Sequence, residues 1–238
     1  MIMAKEREIY MLIHTISEVR EKVREWKKEG LTVGLVPTMG ALHNGHKSLI
    51  EKSVAKCDKT VVSVFVNPIQ FCPGEDLDKY PRTLDADEKL CSEVGADIVF
   101  APSPKEMYGE GHILSNDFLT YVIPPYFYTD KLCGKSRVGH FDGVCTVVNK
   151  LFNIVQPDFA FFGEKDRQQL IILKKCDIIA ISVKLRYVGS AAANGFVKNG
   201  GWICLTVPHL RKINKIRKGK DVFHERKIQR SLYPLEDR

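Results

Sequence analysis

Between Thr15 and Gly30 the apolar residues Ile16, Val19, Val23 and Trp26 recur at helical spacing and share one face. Thr15 and Glu18 stand at capping-box spacing and Gly30 supplies a stop, so this stretch is predicted to be a helix. A different pattern follows. Thr32 to Val36 is short, apolar and partly β-branched, which predicts a strand ended by Pro37. From about Gly45 the spacing of Leu49, Ile50 and Val54 predicts another helix, and Thr60 to Val66 is apolar enough to be a strand buried on both faces. The alternation continues with a helix near Leu84 to Val94, a strand at Asp97 to Phe100, a helix at Gly143 to Val155, a strand at Phe159 to Phe162 and a helix from Arg167. Repeated strand-helix order with solidly apolar strands predicts an α/β fold, a doubly wound, Rossmann-like parallel sheet covered on both faces. Such sheets bind ligands beyond the carboxyl ends of their strands, and the polar, glycine-rich segments fall at those ends.

Composition narrows the function classes. The chain has 238 residues, 44% of them apolar, enough for one large domain or for one domain plus a small appendage. No apolar run approaches the roughly 20 residues a membrane helix needs. The opening MIMAKEREIYMLIH places charges where a signal peptide would be apolar, so the expectation is a cytoplasmic protein without a membrane partner. Seven cysteines, odd in number and never in a Cys-x-x-Cys pair, indicate reduced thiols and neither a zinc site nor a disulfide framework. The net charge of +7 suggests nucleic acid, but its distribution argues against that partner. Residues 1–170 hold 21 basic against 24 acidic side chains, and the remaining 68 hold 15 against 5, so the excess is confined to the C-terminal segment.

The strongest chemical signal is Pro37-Thr38-Met39-Gly40-Ala41-Leu42-His43-Asn44-Gly45-His46, which leaves a buried strand and opens a helix. A turn of that kind points backbone N–H groups and a helix dipole at an anion, and glycines let a phosphate approach. Imidazoles three residues apart would contact nucleotide phosphates and stabilise charge developing during adenylyl transfer. Taken alone, His43 and His46 read equally well as capping and core residues. Asn67-Pro68-Ile69-Gln70 follows a buried strand, so the Gln70 amide would project into the crevice, able to donate to and accept from a hydroxy acid. Gly163-Glu164-Lys165-Asp166 has the same strand-end placement: Lys165 would neutralise triphosphate charge, and Asp166 would support Mg²⁺ or fix the ribose side. Arg137 would supply a permanent cation near phosphate. Tyr80 and Arg82 are weaker candidates. Asp85 and Asp87 begin a helix, where capping alone explains them, although Asp87 is also a candidate Mg²⁺ contact.

The decapeptide PTMGALHNGH resembles the nucleotide-binding signature of pantothenate synthetases, relatives of the His-x-Gly-His nucleotidylyltransferases. The resemblance recurs in order at VNPIQF (residues 66–71), DKYPRT (78–83), GHFDGV (139–144), QPD (156–158) and FGEKD (162–166) with Gln168-Gln169. It implies an ATP-dependent ligase that joins pantoate to β-alanine through a pantoyl adenylate, releasing AMP and pyrophosphate. ATP with Mg²⁺ would be held by residues 39–46 (Met39, Gly40, Ala41, Leu42, His43, Asn44, Gly45, His46) and by Gly163, Glu164, Lys165 and Asp166. His46, with His43 and Lys165, would carry catalysis, while Gln70, Gln169 and Arg137 would bind substrate. A homodimer follows from the resemblance alone. The competing readings are another His-x-Gly-His nucleotidylyltransferase, or an ATP-binding protein without turnover.

The resemblance stops after about Lys175. The family next has a strand, an Asp-Gly-Leu-Ala-Met-Ser-Ser-Arg-Asn-like loop and a small lid domain, and none of these residues is found. Codons exist for Gly201-Trp202-Ile203-Cys204-Leu205 that spell Asp-Gly-Phe-Ala one nucleotide later, so a reading-frame slip is expected to separate residues 176–238 from the family's continuation. The predicted organisation is a Rossmann-like ATP- and pantoate-binding domain over residues 1–175, followed by an aberrant basic segment, 176–238, in place of the lid, with weakened activity.

Overall fold

The computed structural model describes residues 10–75, 77–110, 119–175, 186–188 and 202–206. All of them belong to the unit Met1–Pro208. The described elements follow the predicted alternation: β1 (Met11–Ile13), α1 (Ile16–Lys28), β2 (Val33–Thr38), α2 (Asn44–Lys56), β3 (Lys59–Val64), a 3₁₀ turn (Pro68–Gln70), α3 (Leu84–Val94), β4 (Ile98–Phe100), α4 (Pro104–Tyr108), α5 (Tyr126–Thr129), α6 (Leu132–Ser136), α7 (His140–Val155), β5 (Phe159–Gly163), α8 (Arg167–Lys175), β6 (Arg186–Val188) and β7 (Trp202–Thr206).

The strands form one sheet in the order β1-β4-β3-β2-β5-β7-β6. The first five are parallel, as the apolar strands imply. The last two are antiparallel, with Phe159 opposite Thr206 and Arg186 opposite Thr206 on the other side of β7. The sequence reading assigned no strand at either place, and the rest of the 176–238 segment lies outside the described residues. β1 is also unmarked, being only three residues long and paired with β4 alone.

Burial follows the period of two. Leu35, Val61 and Ile98 belong to the core layer that contains Val19, Val23 and Trp26 of α1 with Val144, Val148 and Phe152 of α7. Their neighbours Val36, Val62 and Val99 belong to the opposite layer, with Leu49 and Ile50 of α2 and Cys91 of α3. Each strand therefore feeds both layers, which is why its sequence is apolar without alternation. Trp26 is 1% exposed, and its truncation to alanine would cost about 3–5 kcal/mol.

Capping sets the start of α1 as expected: the Thr15 side chain accepts from the Glu18 amide at 3.3 Å. The prediction that Pro37 ends β2 needs correction. Pro37 lies within the strand, opposite Ser63 of β3. On the other side β2 pairs with β5 only at Gly34 and Leu35, so the N–H that proline lacks is not required there.

Candidate active site

Beyond Leu35 and Ala160 the ladder between β2 and β5 stops, although both strands run on. This is the point where the order of the sheet reverses, the place a ligand occupies in open α/β folds. A cavity of about 500 Å³ lies here, and His43, His46, Gln70, Lys165, Asp166 and Gln169 all line it, as does Arg137. A smaller cavity of about 140 Å³ shares both histidines, Lys165, Asp166 and Gln169 and continues to Gly45, Ser48 and Gly163. Residues separated by more than 120 positions in the chain thus share one crevice.

The turn between β2 and α2 is left-handed at Gly40 (φ +86°) and at Ala41 (φ +50°), a conformation costly for a residue with a Cβ. Asp87 of α3, 2% exposed, braces it by accepting from the Ala41 and Leu42 amides at 2.9 and 2.7 Å. The Gly40 amide donates to the Thr38 hydroxyl at 3.2 Å. The expected presentation of these amides to phosphate is therefore corrected: all three are engaged within the protein. Asp87 is corrected too as an Mg²⁺ contact, because its two oxygens face backbone donors and it borders neither of these cavities. Leu42 packs toward the α2–α3 core layer and Asn44 is exposed, and neither lines the crevice.

His43 is the N-cap of α2. Its Nδ1 accepts from the Gly45 amide at 3.0 Å, and the His46 Nδ1 accepts from the His43 amide at 3.4 Å. Because each Nδ1 accepts, each neutral ring carries its proton on Nε2, so the cap fixes both tautomers as Nε2–H donors. The capping reading is borne out by this geometry, and both rings line the crevice. The rings stack at 4.2 Å between centroids, and a Cβ on Gly45 would fall 2.7 Å from the His43 ring. Burial lowers the His46 pKa to about 4, helped by the His43 and Lys165 charges and opposed by Asp87. At neutral pH His46 is an uncharged donor.

Gln70 is 9% exposed, and its Oε1 accepts from Asn67 Nδ2 at 3.0 Å, while its Nε2 lies 2.8 Å from Met39 Sδ. Asn67, 1% exposed, also donates to the Gly143 carbonyl at 3.1 Å and accepts from the Tyr108 hydroxyl at 2.7 Å. Gly143 allows α7 to approach this closely, since a Cβ there would stand 2.3 Å from the Ile69 carbonyl oxygen. Arg137 is not a free cation. Its Nε and Nη2 pair with Glu75, the latter at 2.7 Å, and its Nη1 lies 3.0 Å from His140 Nε2. His140 Nδ1 donates to the Gln70 carbonyl at 2.8 Å, which leaves Nε2 as the acceptor for Arg137. Burial lowers the His140 pKa, and the arginine adds to the effect.

Lys165 is exposed at the crevice and makes no ion pair among the described residues. Glu164 lines neither cavity, and Gly163 borders the smaller one. Tyr80 lines the larger cavity edge-on to Phe71, whereas Arg82 borders a separate cavity. Sequence reasoning assigned no role to Asn67, Tyr108 or His140. Asn67 and His140 sit inside matched motifs, but nothing in the spacing connects Tyr108 to Asn67, 41 residues away.

The family model for pantoate-beta-alanine ligase matches residues 11–188. The pantothenate synthetase of Clostridium acetobutylicum is 57% identical over 164 residues, covering 69% of this chain and 56% of that protein. That of Alcanivorax borkumensis is 54% identical over 181 residues, covering 76% and 61%. Among solved structures, pantothenate synthetase from Thermus thermophilus superposes with a TM-score of 0.63 at 46% identity, over 70% of this chain and 56% of that one. Pantoate-beta-alanine ligase from Francisella tularensis, complexed with beta-gamma ATP and beta-alanine, gives 0.65 at 38% identity, over 71% and 62%. The chain spans a little over half the length of the curated relatives it matches. With the match over residues 11–188, and with a crevice built from the motifs that carry it, the chain belongs to the pantoate-beta-alanine ligase family.

Proposed function

We propose that this protein adenylates pantoate with ATP and transfers the pantoyl group to β-alanine, giving pantothenate, AMP and pyrophosphate. The observation that carries the reading is the convergence of two Nε2–H imidazoles, Lys165, Gln70 and Gln169 on one cavity at the sheet's switch point. In the first step a pantoate carboxylate oxygen attacks the α-phosphorus and pyrophosphate leaves. His43 and His46 would donate to phosphate oxygens, and Lys165 would supply the positive charge that a neutral His46 does not. In the second step the β-alanine amine attacks the acyl carbon, AMP leaves, and the ammonium proton is lost to solvent. Both steps depend on positioning and electrostatics and require no protein nucleophile.

Gln70 and Gln169 would hold pantoate, with β-alanine also against Gln70. Magnesium is held chiefly by substrate phosphates in such sites, and Asp166 is the crevice carboxylate suited to assist. Among the described residues no cluster of three or more His, Cys, Asp or Glu side chains forms a separate metal cage. The Francisella tularensis relative, whose structure carries a beta-gamma ATP ligand and beta-alanine, supports the assignment of both ligands.

The same reading assigns the ATP- and pantoate-binding unit to residues 1–175; the family match runs on to residue 188, so the departure from the family pattern, ascribed to a slip of frame, is placed after it, and sequencing the transcript tests that. It further implies a cytoplasmic homodimer, to be checked by light scattering. Among the described residues no helix is long and apolar enough to cross a membrane.

The deciding measurement is pantoate-dependent exchange of pyrophosphate into ATP. Exchange is expected, with His46→Ala lowering it by roughly 10²–10³-fold. Exchange driven by a phosphorylated acceptor instead of pantoate would make the protein a different nucleotidylyltransferase. ATP binding without any exchange would make it a nucleotide-binding protein lacking turnover.

A further inference from the structure

The hydrogen bonds around Gln70 run in one direction, set at the Gly143 carbonyl, with the Tyr108 hydroxyl donating at their far end. The Gly143 carbonyl can only accept, so the Asn67 group 3.1 Å from it must be the amide nitrogen. The Asn67 oxygen then faces the Tyr108 hydroxyl at 2.7 Å and accepts its single proton. The second Asn67 N–H points at Gln70, and only the Gln70 oxygen can receive it, at 3.0 Å. That leaves the Gln70 NH₂ group turned toward the crevice, resting against Met39 Sδ, a weak acceptor that a ligand oxygen would readily replace. An isolated glutamine could flip its amide and offer either group, but this one is held in a single orientation. Tyr108 and Asn67 are 6% and 1% exposed, so no bulk water competes for either end. Burial raises the Tyr108 pKa, which keeps the hydroxyl protonated.

We propose that Tyr108 is a positioning residue which, through Asn67, locks Gln70 as a hydrogen-bond donor to the acid substrate, so that the ligand atom beside Gln70 must be an acceptor oxygen. The identity of that acid as pantoate rests on the functional reading above. The lock itself does not, and it makes a statement about selectivity: a ligand presenting only a donor at this position meets another donor and is refused.

Tyr108→Phe removes the hydroxyl and keeps the ring, with its contact to Phe65 at 6.1 Å and its place under the Lys150 ammonium at 5.4 Å. In ligand-free protein, ¹⁵N-resolved spectra should show the Asn67 and Gln70 side-chain NH₂ signals shifting and exchanging faster in Tyr108→Phe. The exposed control Tyr126→Phe should leave both signals in place. Unchanged Asn67 and Gln70 signals in Tyr108→Phe overturn the lock whether or not the protein binds pantoate. Titration calorimetry then supplies the second readout. Pantoate affinity should fall about 10-fold, the equivalent of one neutral hydrogen bond, while ATP affinity stays the same. Equal losses for pantoate and ATP would mean that Tyr108 only supports the fold, which also overturns the proposal. Wild-type protein that binds no pantoate would instead overturn the functional reading, and the amide spectra would still decide the lock.

Discussion

Asp87 holds Ala41 in a left-handed turn: its carboxylate accepts from the Ala41 amide at 2.9 Å and from the adjacent Leu42 amide at 2.7 Å. One acid on α3 thereby fixes the loop that aims His43 and His46. Hydrogen bonds to a buried charge are worth about 1.5–3 kcal/mol each, and an amide in place of the carboxylate can keep only one of the two. Asp87→Asn is expected to lower unfolding stability by about 2 kcal/mol in urea titrations and to weaken ATP binding, although Asp87 borders neither cavity of the crevice. Full ATP affinity in the variant would show that the turn holds without its brace.

His46 should titrate near about 4, against 6.5 for an ordinary histidine, because burial and the neighbouring His43 and Lys165 charges disfavour its cation. Folding thus favours the neutral ring. The penalty is absent above 6.5 and grows as pH falls toward about 4, so stability declines through that window. An NMR titration of the ring checks the midpoint, and His46→Gln should flatten the stability profile between the two values. A midpoint at or above 6.5 would contradict the burial of His46 near the His43 and Lys165 charges.

Gly143→Ala places a Cβ 2.3 Å from the Ile69 carbonyl oxygen and 2.6 Å from the Gln70 Cα. Both obstacles are backbone, so α7 or the 3₁₀ turn must move. Denaturant unfolding is expected to show a loss of about 1–3 kcal/mol. Pantoate affinity should fall with it, because the displaced turn carries Gln70.

The Arg137 guanidinium pair holds the Glu75 carboxyl at about 2, below the usual 4.5. The pair's contribution is complete above 4.5 and is lost as pH falls from there toward about 2. Since both side chains are about one-third exposed, the contribution is screened, and Glu75→Gln should cost under about 1 kcal/mol at neutral pH. Urea midpoints for wild type and variant should converge on acidification across that range.

The parallel sheet is legible in the sequence because its strands are apolar on both faces and its helices on one stripe. The predicted helix at Leu84 to Val94 is α3, and the predicted strand at Phe159 to Phe162 is β5 short of one residue. Where the reading fails, the controlling fact is a neighbour. Pro37 stays within β2 because β5 has stopped pairing beside it, and β1 is a strand because β4 lies next to it. Asp87 reads locally as a capping residue or a metal contact, and only the fold brings it under Ala41. Arg137 reads as a permanent cation near phosphate, and only the fold sets Glu75, 62 residues earlier in the chain, against it.

The sequence by itself determined the order and type of the main elements and supplied the motifs, because periodicity and strand-end glycines are local properties of the chain. It placed His43, His46, Gln70 and Lys165 in strand-end motifs and Gln169 one helical turn further on, and the structure brings all five to one cavity. Only the tertiary structure decided how the polar groups with distant partners point: which nitrogen of His140 carries the proton, and which end of the Gln70 amide faces the ligand. Those orientations are set by the other end of each hydrogen bond, and for Gln70 the far donor, Tyr108, stands on a different element.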